Sequence, residues 1–226
     1  MTSNMTLALR RLVLFGPPLM LGVLSFTHPI AQTTRDLVPQ AEWFISLHIL
    51  QLVLFGLIGL GVYLLIEGLH GAVAVTSRAG LAIFVVVLDA WDAVAGIGTG
   101  ILLREASRIP VDQQPAAFAM SEALFTDPLI GGASIGVFSA LGGLGAMVGL
   151  FGASLALRQA GAPRVSTVLL ALAGLTFWSG HIPTVPLSMA FLIASYAILE
   201  FRAVRPAVTA SGVARAAITP PVGARR

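Results

Sequence analysis

Two carboxylates interrupt a long apolar run at Leu88-Asp89-Ala90-Trp91-Asp92. An aspartate near the centre of a bilayer is costly, so it usually faces the interior of a helix bundle and has a partner or a task. Asp89 and Asp92 are three residues apart and share a helix face, which Ala93, Gly96 and Gly100 continue. A carboxylate pair above a strip of small residues suggests a helix packed deep in a bundle. The functional reading is a proton carrier or a general acid. The structural alternative is a buried carboxyl bonded to a neighbouring Ser, Thr or backbone carbonyl. Trp91 is expected to be a packing residue on another face.

The histidines form the second constellation. His28 ends the first apolar run, His48 lies early in the second, and His181 joins the last two, so three different elements bring imidazoles to one level. His48 falls roughly 7 Å below that surface at the rise of an α-helix. Helical side chains tilt toward their own amino terminus, which draws the three tips toward a common depth. Three imidazoles around an open position suit Zn, Cu or Fe. Haem with axial histidines is a further option, and interfacial histidines bonded to carbonyls and headgroups are the plain alternative. Asp92 lies deeper, roughly 16 Å down, so one ion cannot easily bridge it to His48, but a wet cavity or proton relay can. Gln51, three residues after His48, sits between the levels. Glu122, with Ser121, is expected near the histidine level. The expected cavity therefore has His28, His48 and His181 at its mouth, Asp89 and Asp92 at its floor, and Gln51 and Glu122 on its lining.

The elements that must position these groups are membrane spans. Of 226 residues, 57% are hydrophobic and only 10% are charged, with mean hydropathy +0.92. A soluble domain carries roughly a quarter charged residues. Six apolar runs, near 11–30, 44–66, 79–103, 129–157, 165–181 and 184–203, reach or approach the length of about 20 residues needed to cross a bilayer. The fold class expected is an all-α, polytopic bundle of six transmembrane helices. Residues 1–205 form that domain, and 206–226 form a disordered tail rich in Ala, Pro, Thr and Arg. The first run contains Pro17-Pro18, which should kink it. No A-x-A-like cleavage site follows, so it reads as a retained span.

All 13 basic residues are arginine. With six spans, Arg10, Arg11, Arg78, Arg158, Arg164, Arg202, Arg205, Arg215, Arg225 and Arg226 share one side. Arg35, Arg104 and Arg108 lie on the other, a ratio of ten to three. The positive-inside rule then places both termini in the cytoplasm of a bacterial plasma membrane, with the histidine level outside. The pI near 10.5 reflects this flanking pattern and does not indicate a nucleic-acid partner. The absence of Cys excludes disulfides, thiolate metal sites and Cys nucleophiles, and the absence of Lys excludes Schiff-base chemistry. The fourth run repeats small residues every four positions: Gly132, Gly136 and Ala140, then Gly145, Gly149 and Ala153. These allow close helix approach, either inside the bundle or between copies in a homo-oligomer.

Three functions fit. One is a small proton-coupled transporter whose outer histidines collect a cation or line the entrance. The second is a membrane-embedded enzyme using a metal or an acid on a lipid or prenyl substrate. The third is an accessory or assembly subunit without catalysis. The bilayer is a partner in all three, while the small-molecule, ion or lipid ligand is left open.

Overall fold

A computed structural model describes residues 7–31, 33–132, 135–178 and 184–202. The predicted ligand His181 and the expected tail from residue 206 lie outside the described residues. The described chain is all-α. Five helices are long and apolar enough to cross a membrane: α1 (Leu7–Ser25), α2 (Ala41–Leu65), α3 (Ala72–Ala106), α5 (Val137–Gln159) and α7 (Thr184–Arg202). Between them lie α4 (Gln114–Thr126) and α6 (Arg164–Trp178). The sixth expected span corresponds to α6, an apolar helix of 15 residues. At about 22 Å it is shorter than the hydrocarbon core.

Two boundaries differ from expectation. The first helix ends at Ser25, five residues early, where Phe26 and Thr27 close turns onto Val23 and Leu24. His28 precedes Pro29, and a residue before proline avoids the helical region. The fourth span starts at Val137 and not at 129. Residues 127–132 fold back instead, with Gly131 N–H donating to the Asp127 carbonyl at 2.7 Å and Gly132 N–H to that of Phe125 at 2.8 Å. Gly131 has φ +64, and a methyl group there would lie 2.1 Å from the Gly136 nitrogen. Gly132 and Gly136 thus lie outside the helix, Gly136 against the backbone of Ile130 and Gly131 and Gly132 against the Phe125 ring, and so cannot belong to a helix-packing stripe.

The remaining small residues of α5 do what the spacing predicts. Gly145 and Gly149 face Gly80, Leu81 and Phe84 of α3, and a methyl on Gly80 would lie 2.6 Å from the Gly149 nitrogen. Ser77 donates its hydroxyl to the Gly149 carbonyl at 2.7 Å. The stripe is therefore occupied within the chain. Similar hydroxyl-to-carbonyl bonds run from Ser154 to Thr167, from Ser188 to Ala173 and from Ser195 to Ser166, at 2.7–2.8 Å. They tie α5 to α6 and α6 to α7, where lipid supplies no competing water.

The six apolar helices form a closed ring in chain order. α1 packs on α2, α2 on α3, α3 on α5, α5 on α6, α6 on α7, and α7 returns to α1. At the closing seam Arg10 Nε donates to Glu200 Oε1 at 2.8 Å. The centre is apolar, with Ile58, Val62, Leu81, Leu150, Met189 and Leu192 buried together.

α3 is 35 residues long, about 52 Å, and outruns the hydrocarbon. Its far end meets a cap built from a 3₁₀ turn (Thr34–Gln40) and α4, packed around Leu37, Phe44 and Leu103. On its surface Glu105 pairs with Arg104 and Arg108 at 2.8 and 2.9 Å, and Glu42 lies within 4 Å of both arginines. These charges satisfy one another at a solvated helix end.

Candidate functional site

The ring encloses a chamber of about 320 Å³ at the end where α1 finishes and α6 meets α7. Every ring helix contributes to its wall. α1 gives Leu21 and Ser25, α2 gives Gln51 and Phe55, and α3 gives Leu88 and Trp91. α5 gives Ser139, Ala140 and Gly143, α6 gives Phe177 and Trp178, and α7 gives Val185. His28 lines it from beyond α1, and Gly131, Gly132 and Ile135 cover it from the folded-back loop. Trp91 fixes that cover by donating its indole N–H to the Ile130 carbonyl at 2.7 Å.

The floor is aromatic. Phe55, Phe84 and Phe177 meet edge to face, with ring centroids 5.4–6.2 Å apart. Below them the ring centre is filled with aliphatic side chains. The chamber is thus closed toward the arginine-rich end.

His48 lies behind the chamber wall, 3% exposed. Its ring centroid is 5.3 Å from that of His28 and 4.3 Å from that of Phe44. His48 Nδ1 donates to the Phe44 carbonyl at 2.7 Å, and His28 Nδ1 to the Pro29 carbonyl at 2.9 Å. A carbonyl can only accept, so in the neutral form each ring carries its proton on Nδ1 and its lone pair on Nε2. His28 lies outside the helices, and burial holds its imidazole below the usual histidine range.

Gly96 makes room for His48. A methyl on Gly96 would lie 2.1 Å from Cδ2 of that ring. Gly96 belongs to a π-helical stretch, Asp92–Gly98, in the middle of α3. Widened turns of this kind occur often at functional sites. Here the stretch packs against α2. The contacts Gly96–His48 and Gly59–Val85 define the antiparallel register of α2 and α3. That register sets Asp92 at the level of Gln51 and Leu52. Asp92 is fully buried, and neither carboxylate oxygen has a hydrogen-bond partner. Gln51 is 4% exposed, and its Oε1 is likewise buried without a partner. Asp89 is half-buried, with Oδ1 unpartnered.

The predicted site residues thus separate into groups. His28 and Gln51 line the chamber, with His48 directly behind His28. Asp89 and Asp92 lie outside the wall, and the floor position expected for them is held by Phe55 and Phe177. Glu122 is engaged elsewhere: it accepts from the Thr34 amide at 2.9 Å and from the Thr34 hydroxyl, tying α4 to the 3₁₀ turn. Among the described residues no three His, Asp or Glu side chains gather closely enough to hold a metal ion. Sequence reasoning missed the cavity role of Trp91, whose position three residues after Leu88 carried the signal. It also missed the covering loop, marked by Asp127-Pro128 and Gly131-Gly132. Compared with known protein families, characterised proteins and solved structures, the chain matches none.

Proposed function

We propose that this multi-pass membrane protein is a small proton-coupled transporter that receives its cargo in the end chamber and exchanges protons at Asp92. The observation that carries the reading is Asp92 itself. Buried polar groups are nearly always hydrogen-bonded, and an exception calls for a reason. A carboxyl with no exposure and no partner, set in a π-helical turn, is such an exception. Gln51, at the same level and on the chamber wall, supplies the step between Asp92 and the cavity. The arginine distribution supports placing the chamber on the outer side of the plasma membrane, with both termini inside. The aromatic floor then acts as the closed inner gate.

The test is proton uptake into liposomes holding a pH-sensitive dye, driven by a potassium diffusion potential. Wild type is expected to exceed empty liposomes, and Asp92→Asn, which keeps shape but cannot titrate, is expected to match them. Equal uptake by wild type and Asp92→Asn overturns the reading.

A second reading, an enzyme acting on a lipid or prenyl chain, draws support from the apolar chamber walls. It requires an acid facing the substrate, a place that His28, and not the carboxylates, occupies.

A further inference from the structure

The chemistry of the wall defines what the chamber can hold. Among the described wall residues none carries a carboxylate or guanidinium. A charged ligand would lose its hydration there with no opposite charge to replace it. Most polar groups on the wall are already committed. Ser25 donates its hydroxyl to the Leu21 carbonyl at 2.7 Å. Ser139 accepts from the Gly136 amide and donates to its carbonyl. Trp91 spends its N–H on Ile130 and presents only its ring.

His28 places its Nδ1 on the Pro29 carbonyl at 2.9 Å. Gln51 is placed differently. It lines the chamber, is 96% buried by its 4% exposure, and leaves Oε1 without a partner. A hydroxyl can both donate and accept, so it satisfies the amide whichever face turns toward the cavity. The rest of the space is bounded by Trp91, Trp178, Phe55 and Phe177, and its volume is at the lower end of small-molecule sites.

We propose that the chamber binds an uncharged, largely apolar molecule bearing one hydroxyl, which Gln51 holds while the aromatic walls enclose the apolar body. The assignment rests on reading the chamber as the cargo site, and it does not depend on proton exchange at Asp92.

The test uses the full chain in nanodiscs, with 4-cyclohexylphenol as probe and 4-cyclohexylanisole as its partner lacking the donor. Binding is read by tryptophan fluorescence and equilibrium dialysis, with empty nanodiscs subtracting partition into lipid. The phenol is expected to bind saturably and at least tenfold tighter than the anisole, because a site built around an amide rejects a ligand that leaves it unpaired. Gln51→Leu should bring the phenol down to the affinity of the anisole, and Ala140→Phe, which fills the chamber, should abolish binding of both. The proposal is overturned if wild type binds the two alike, binds neither, or if Gln51→Leu keeps the preference. The measurement needs no proton gradient. Selective phenol binding in a protein that moves no protons overturns only the coupling. Proton uptake without phenol binding overturns only the ligand assignment.

Discussion

Gly96→Ala tests the geometry of the site most directly. The added methyl would lie 2.1 Å from His48 Cδ2, 2.2 Å from Cγ and 2.7 Å from Cβ, so the whole imidazole must shift. The ring has little freedom to do so: it is 3% exposed, bonded to the Phe44 carbonyl at 2.7 Å and packed between Phe44 and His28. Overpacking of this kind costs about 1–3 kcal/mol. Losing the bond to Phe44 adds about 1 kcal/mol, and replacing a helical glycine by alanine returns about 0.5–1 kcal/mol. The net expectation is a destabilisation of about 1–3 kcal/mol, read as the shift in a reversible unfolding transition in mixed micelles. Gly56→Ala on α2 is the control, since nothing lies within 4 Å of its added methyl. It should be neutral or slightly stabilising. In a His48→Ala background the Gly96→Ala penalty should vanish, giving a coupling of the same size as the original effect. A Gly96→Ala protein as stable as Gly56→Ala would refute the close packing of π turn and histidine.

Two further outcomes follow from the same structure. Gly80→Ala places a methyl 2.6 Å from backbone nitrogen and 3.0 Å from backbone oxygen of α5; backbone cannot swing aside as a side chain can. Its cost in the same unfolding assay should reach or exceed the roughly 3 kcal/mol upper end of overpacking. His28 contributes a pH dependence: burial lowers its folded-state value below 6.5, so the unfolded chain takes up the proton first. The stability from this group is present above about pH 6.5 and falls as the pH drops below it. Unfolding midpoints measured between about pH 7 and pH 5 should show that decline, and His28→Gln should flatten it.

What could be read in advance was set by hydropathy. The six apolar runs became the six ring helices because apolar length and backbone satisfaction leave a chain in lipid few choices. The Gly145–Gly149 stripe was legible for the same reason, since small residues at four-residue spacing within an apolar helix favour close approach. Rotation and hydrogen-bond register were not legible. Whether Asp92 faces the chamber or the α2 seam depends on a π turn, which spacing rules built on 3.6 residues per turn do not anticipate. Gly132 and Gly136 matched the helical stripe in sequence, yet the Asp127-Pro128 turn and the Trp91–Ile130 bond hold them in a loop. Glu122 was expected on the cavity lining near the histidines, whereas its partner, Thr34, is 88 residues away and could not be foreseen.

The order of helices around the ring is the order along the chain, and Arg10 and Glu200 join its two ends across a separation of 190 residues. In topological terms the fold is a circle with a single nick, set between α7 and α1 at the end opposite the chamber. A circle can be cut elsewhere. Joining Arg202 to Leu7 by a flexible linker and opening the turn at Gly68–Gly71 would start the chain at α3 and finish it at α2. Each helix would keep its neighbours and its direction of crossing, and the chamber at the far end would form from the same residues.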